Sequence, residues 1–407
     1  VALKVVLVPS AEAAAALEPE DLEVSQANHP HHMKRFTTEP RANYEQRVAA
    51  LGFDFQHLDD ITYWDEASYY EFTERQIEQL ESVAESLHQM SLQVVERVIS
   101  DDLFHKLHIP IEVVPLIIRS WEKRDAYLKG RFDFIFDGSG DPKLLEYNAD
   151  TPTTYFETAI IQWQWLQDKF PDKDQFNSLH EKLQQRWKEI LPQGAHLHVS
   201  SAYEDIEDYV NAEYMVDLVK QIGYGASWEA IERIKWSTGE ICFKDFPGRK
   251  IDYLYKIYPW EWLIESQYAP YISESETRFI EPIWKMLLSN KALLPLLWEQ
   301  FPDHPNLLPA YFDSKTLGNT YVQKPLLSRE GGNITIVQNG QEIAKSSGVY
   351  GSEGYIYQSY AQMPDFDGNH PLLGIWIVGD EAAGMCIRET QGLITDRGSK
   401  FIPHFFE

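Results

Sequence analysis

The sequence predicts an α+β or α/β fold with a substantial antiparallel part, on three observations. About the last hundred residues run as short strand-like segments, TYVQKPLL, NITIVQNGQEI, YIYQSYAQM, LLGIWIVGD and AGMCIRE, with Asn339-Gly340 and Gly379-Asp380 supplying turns. From Thr73 onward, Leu80, Val83, Ala84, Leu87, Val94, Val95 and Val98 recur at three- and four-residue steps, the period of an amphipathic helix. Helical patterns around Trp163, Trp165 and Trp187 follow over residues 155–191, and helix and strand then alternate to about residue 310. Thr73 and Gln76 have the spacing of a capping box, so the long helix starts there and is a packing element.

Composition narrows the class further. The chain has 407 residues, 43% of them hydrophobic, with 12 Trp, 22 Tyr and 20 Phe, which is material for one large core or two fused ones. Such aromatic content excludes a disordered chain. No uninterrupted apolar run reaches the roughly 18 residues of a membrane span, so a cytoplasmic protein with no membrane partner is expected. The formal net charge is −27 and no basic stripe is visible, which excludes nucleic acid as a partner. An acidic surface suits a cationic amine, and local cations with Mg2+ can still hold a nucleotide. The two cysteines, Cys242 and Cys386, fit neither a disulfide framework nor a zinc site and read as small core residues. Residues 1–32, with an alanine run and the tract His29-Pro30-His31-His32, read as an N-terminal extension. Their opening is weakly like a secretory signal, but its apolar run is brief. The folded unit is expected to begin near Met33 and to run to residue 407.

The stretch RFDFIFDGSGDPKLLEYNADTPT, residues 131–153, carries the most chemistry. Phe132, Phe134 and Phe136 alternate with Arg131, Asp133 and Ile135, a strand with one apolar face, and Gly-Ser-Gly-Asp-Pro must turn. A hairpin centred between Ser139 and Gly140 sets Asp133 opposite Glu146 and Arg131 opposite Asn148. Two carboxylates and an amide oxygen on one face suit Mg2+, and an arginine beside them suits a phosphoryl group. A solvated polar face with an ion pair is the other reading of the same pattern. Lys291, before the apolar run of SNKALLPLLW, reads as a phosphate ligand or as a solvated helix-start lysine. In VQKPLLSREGGNITIV a strand ends at Lys324, and Ser328-Arg329-Glu330-Gly331-Gly332 forms a flexible loop whose backbone can approach phosphate. Gln358 on YIYQSY is placed to meet an adenine edge, and Arg388 in GMCIRET faces away from Ile387, toward a site or toward solvent. Neither a P-loop nor a GxGxxG pattern is present, and no nucleophilic triad can be assembled.

In this order, RFDF…LLEYNADTPT, NKALLPLLW, KPLLSREGGNI, IYQ and CIRETQGLI resemble the synthetase domain of glutathionylspermidine synthase. The likeness is closer still to that domain's stand-alone bacterial relatives, the acid–amine ligases, and runs from about Met33 to the C-terminus. The resemblance implies an ATP-grasp-like α+β fold with nucleotide between two lobes and an antiparallel C-terminal part. It implies Arg131 at the transferring phosphoryl group, and Asp133, Glu146 and Asn148 on Mg2+. It puts Lys291 and Lys324 on ATP, Gly331 in a phosphate-covering loop, and Gln358, Leu393, Ile394 and Thr395 along the nucleotide pocket. Arg329 and Arg388 would face the acid or its acyl-phosphate, and Thr151 stands where the synthase has a serine near its substrate. Two departures concern substrate. A threonine expected before the Trp-rich segment is replaced by Ile257, and a pair of substrate-contacting glutamates aligns loosely with Glu207 and Asp208. The implied reaction is ATP- and Mg2+-dependent amide formation between a carboxylic acid, peptide-like in the family, and an amine, a polyamine in the family. A small-molecule kinase of the same fold and a non-catalytic ATP-binding module are the alternatives.

Overall fold

Two antiparallel five-stranded sheets and one parallel four-stranded sheet carry the chain in a computed structural model that describes residues 33–53, 55, 57–58 and 61–407. The extension anticipated over residues 1–32 lies outside the described residues.

The central sheet runs in the order Lys400–Ile402, Glu381–Thr390, His370–Val378, Lys129–Ile135, Lys143–Asn148, with every neighbour antiparallel. Two hairpins far apart in sequence therefore join edge to edge, with Asp133 opposite Gly374 and Arg131 opposite Trp376. Strand alternation divides this sheet between two cores. Phe132, Phe134, Ile375, Met385 and Ile387 pack with Leu80, Ala84, Leu87, Val94 and Val95 of the helix Glu74–Ser100. Trp376, Val378 and Cys386 pack instead with Tyr155, Trp165 and Trp187. Each buried Phe contributes roughly 1.5–3 kcal/mol by leaving water. The long helix starts as its capping box requires, with Thr73 accepting from the Gln76 amide and Gln76 returning to the Thr73 amide.

The strand Lys129–Ile135 departs from expectation in one respect: both its faces are buried. The polar face is covered because Lys129, Arg131 and Asp133 each find charged or carbonyl partners inside the protein.

The parallel sheet has the order Arg278–Ile280, Tyr253–Ile257, His196–Ser201, Gly225–Ala230, and the helix Ile206–Gln221 connects His196–Ser201 to Gly225–Ala230. The second antiparallel sheet has the order Ala310–Tyr311, Tyr355–Gln358, Tyr321–Pro325, Thr335–Gln338, Gln341–Lys345. Asn339 and Gly340, both at positive φ, close its tight hairpin as a type I′ turn requires. Cys242 and Cys386 are buried free thiols, and no described helix is long and apolar enough to cross a membrane.

Candidate active site

The hairpin that opens the site has the register its alternation predicts, Asp133 opposite Glu146 and Arg131 opposite Asn148. One feature is new. The register shifts after Asp133, so that Phe134 pairs with Leu144 and Leu145 is an extra residue on its strand. That bulge turns the Leu145 carbonyl to the Lys324 ammonium, 2.9 Å away.

Arg131 grips Asp133 through Nε and an Nη (2.8 and 3.2 Å), and Arg388 reaches the same carboxylate at 2.9 Å. Lys291, buried and bonded to the Ser328 carbonyl, pairs with Glu146 at 2.9 Å. Burial works against the Glu146 charge, but Lys291, Lys324 and Arg131 outweigh it and hold the carboxyl down at about 2. Lys291 and Arg388 are therefore paired within the site, and neither is a solvated surface group. Lys324 is buried and donates also to Gln358 Oε1 at 2.7 Å, while Gln358 Nε2 donates to the Leu144 carbonyl at 3.0 Å. Gln358 thus spends its amide on Lys324 and the hairpin rather than presenting it as a free strand edge. Burial, against the pull of Glu146, brings the Lys324 ammonium down to about 7.

All the residues singled out from the sequence meet in one cavity of about 330 Å³, within the usual range for small-molecule sites. Arg131, Asp133, Glu146, Asn148, Thr151, Lys291, Lys324, Arg329, Gly331, Gln358, Arg388, Leu393, Ile394 and Thr395 all line it. The Gly-rich loop is seated against the C-terminal segment. Gly331 lies at φ +70°, where an added Cβ would stand 2.5 Å from the Thr395 carbonyl, and its own carbonyl accepts from Ser346. Only glycine fits both the backbone angle and the approach.

Beneath these residues lies a buried polar layer that sequence reasoning missed. Lys256 pairs with Asp150 at 2.5 Å, and the other Asp150 oxygen accepts the Trp260 amide. Lys129 reaches the Pro152 carbonyl at 2.6 Å, and Lys285 with Glu281 fixes the backbone of Lys129. Together they clamp residues 149–154, whose Thr153 carbonyl accepts from Arg131. Gly374 was also missed. A Cβ there would come within 2.9 Å of Arg131 Cδ and 2.6 Å of Cys386 Sγ, so its bareness gives the arginine its path across the sheet. A lone glycine inside LLGIWIV is the signal that could have found it.

A second part of the lining is acidic. Asp205, Glu207, Asp208 and Glu330 line the cavity, with Tyr63 at the same corner. Thr153 donates to Glu207, and Arg397 stands 3.7 Å from Asp205. Burial, then Asp205, Glu207 and Glu330, pushes the Asp208 carboxyl well up, and Glu207 is raised by burial and Glu330. Behind them Glu157, fully buried and held by Tyr63 at 2.8 Å, is raised to about 8 by burial and by Glu207. Ala202 and Ile257, at the carboxyl ends of parallel strands, complete this side, where open α/β sheets receive ligands.

For a metal, the fit rests on Asn148. Its Oδ1 is buried without a hydrogen-bond partner on the wall that carries Asp133 and Glu146. Among the described residues no three His, Cys, Asp or Glu side chains gather as ligands. Mg2+ does not need them, since it is commonly held by one or two carboxylates together with water and phosphate oxygens.

The family model described as glutathionylspermidine synthase preATP-grasp matches residues 35–407. A Haemophilus influenzae protein named "Putative acid–amine ligase" is 41% identical over 92% of this chain and 100% of its own length. Trypanothione synthetase of Crithidia fasciculata is 27% identical over 77% of this chain, and the bifunctional glutathionylspermidine synthetase/amidase of Escherichia coli is 27% identical over 82%. The matches span 53% and 58% of those two longer proteins. Among solved structures, a glutathione synthetase-like effector from Globodera pallida shares the fold, with a TM-score of 0.56 at 12% identity over 90% of this chain and 96% of its own.

Proposed function

The chain belongs to the glutathionylspermidine synthase family, and from that premise we propose that it is an ATP- and Mg2+-dependent carbon–nitrogen ligase of ATP-grasp type. It joins a carboxylic acid to an amine through an acyl-phosphate. Residues 33–407 are the synthetase domain, residues 1–32 are an appendage, and the cytoplasm is the place of action. The observation that supports this best is the cavity, where Arg131, Lys291 and Arg388 pair with Asp133 and Glu146 and Lys324 lies beside them.

A carboxylate is a poor electrophile, so one of its oxygens first takes the γ-phosphoryl group of ATP and ADP leaves. Arg131 and Lys291 face that transfer as fixed positive charge, which costs no reorganisation during reaction, and Lys324 adds to it in its protonated form. Asp133, Glu146 and Asn148 would hold Mg2+, which when bound neutralises phosphate charge. The Gly331 loop covers the phosphates, and Gln358 with Leu393, Ile394 and Thr395 lines the nucleotide side. Arg388 and Arg329 face the acid's carboxylate and its acyl-phosphate, beside Thr151. The amine then attacks the carbonyl carbon, phosphate leaves, and the amine's surplus proton passes to a carboxylate of the acidic wall.

That wall is our basis for the amine's chemistry. Carboxylates crowded until their protonation is favoured are relieved by a cationic group, as a polyamine would supply. The relatives named for glutathionylspermidine and trypanothione suggest a peptide-like acid. Ile257, where the family resemblance expects a threonine, puts an apolar side chain on that side of the cavity. The test is a phosphate-release screen of acids against amines with mass spectrometry on each positive pair. Release that needs both substrates and yields an amide supports the ligase; a stable phosphorylated acid with no amide supports a kinase instead.

A further inference from the structure

Arg329 is held by two side chains from other parts of the molecule. Its Nε and one Nη donate to Glu261 Oε1 at 3.2 and 2.6 Å, and the other Nη donates to Thr151 Oγ1 at 2.7 Å. The pair is sheltered, with side-chain exposures of 21% and 14%. A guanidinium has five N–H donors, so these three bonds leave two for the cavity that Arg329 lines.

Glu261 is itself fixed. It sits in the one-turn helix Trp260–Leu263 after a strand of the parallel sheet. Trp260 is buried, its amide bonded to Asp150, its indole to the Glu281 carbonyl at 3.0 Å, and its ring against the Lys256 ammonium. The loop that carries Arg329 follows it with an unusual backbone. Glu330 and Gly331 both have positive φ, and Gly332 follows.

We infer that Glu261 is a positioning residue that latches the Gly-rich loop over the cavity through Arg329. This rests on the ligase reading, because the latch matters when an acyl-phosphate must be kept from water. An unlatched loop admits water, which attacks the acyl-phosphate in the amine's place. Acid and inorganic phosphate then form from acyl-phosphate and water, and ATP is spent without an amide.

The experiment compares the full-length protein with Glu261→Ala and Glu261→Gln, using hydrogen exchange and the ratio of phosphate released to amide formed. Glu261→Ala should speed exchange over residues 328–333 while leaving residues 129–148 unchanged, and should raise the phosphate-to-amide ratio by about tenfold, the loss of a charge-assisted hydrogen bond. Glu261→Gln, which keeps an acceptor oxygen without charge, should fall between. It decides the matter if the alanine variant does not fold. Unchanged exchange in the loop, acceleration spread equally over the hairpin, or a wild-type ratio in both variants would overturn the latch. If the wild-type protein makes no amide from any acid–amine pair, the ligase reading fails, while the exchange data still decide whether Glu261 holds the loop.

Discussion

Two parts of the cavity lining treat charge in opposite ways. Along the hairpin Arg131 and Arg388 are answered at contact distance by Asp133, and Lys291 by Glu146. Glu146 is accordingly ionised far below neutrality. On the acidic wall Asp205, Glu207, Asp208 and Glu330 line the cavity with Arg397 near one of them, and Glu207 and Asp208 are pushed toward protonation. A matched wall is rigid before its ligand arrives, which suits the transfer of a polyanionic group. A mismatched wall stores repulsion that a cation releases, so stability is given up for binding.

The sharpest way to break this comparison is to remove the matched wall's central charge. Arg131→Ala should lower ligation by roughly 10³-fold or more, the scale of a transition-state arginine, while nucleotide binding measured by calorimetry largely persists. Turnover that survives unchanged would remove Arg131 from the transfer step. Next in size is Gly374→Ala. The new methyl meets Arg131 Cδ and Cys386 Sγ, and displacing a reacting group by about 1 Å costs on the order of 10²-fold. The loss should appear in kcat, with KM for ATP little changed; a wild-type kcat would show that the arginine has another path.

How far each wall could be read in advance follows from where its determinants lie. The hairpin was legible because period-two alternation and a Gly-Ser-Gly turn sit within one short segment, and its register came out as expected. The bulge at Leu145 was not, since it is fixed by Lys324 arriving from another sheet. Lys291 stayed ambiguous for a similar reason: a lysine before an apolar helix is solvated or buried according to a partner, here Glu146, supplied by tertiary structure. The acidic wall was hardly visible. Asp205 caps the helix Ile206–Gln221 and Glu207 and Asp208 occupy its first turn, where acidic residues are ordinary for the helix dipole. The family resemblance offers Glu207 and Asp208 only as a loose match to a substrate-contacting pair, and it is the fold that turns them toward a cavity. Glu261 and the Asp150–Lys256 pair gave no signal at all, because each takes its meaning from a remote partner.

The mismatched wall yields a prediction of opposite sign for function and stability. Glu207→Gln or Asp208→Asn should raise KM for a cationic amine by about tenfold, the worth of one charge-assisted contact, and leave KM for ATP alone. The same variants should be more stable than wild type at pH 8. A carboxyl with a raised folded-state pKa binds more protons folded than unfolded, so stability falls as pH rises above about 4, the unfolded value, toward the folded one. The amide has no such loss. A lower melting temperature at pH 8 together with an unchanged amine KM would show that the wall is structural.

The smallest effect tests whether the matched wall is fully matched. Lys324 belongs to it, yet burial brings its ammonium down to about 7, so near neutrality the protein is divided between charged and neutral lysine. Phosphate binding favours the charged form and raises the bound-state pKa above the free value. Nucleotide affinity is therefore complete well below pH 7 and declines as pH rises through the free pKa to the bound one. Between pH 7 and pH 8 the decline should be about fivefold, with net proton uptake on binding when calorimetry is run in buffers of different ionisation enthalpy. Lys324→Met should bind ATP more weakly and without that slope. If affinity in the wild-type protein is flat across this interval, Lys324 stays charged throughout, and Glu146 together with the Leu145 carbonyl and Gln358 holds it as firmly as Asp133 holds Arg131.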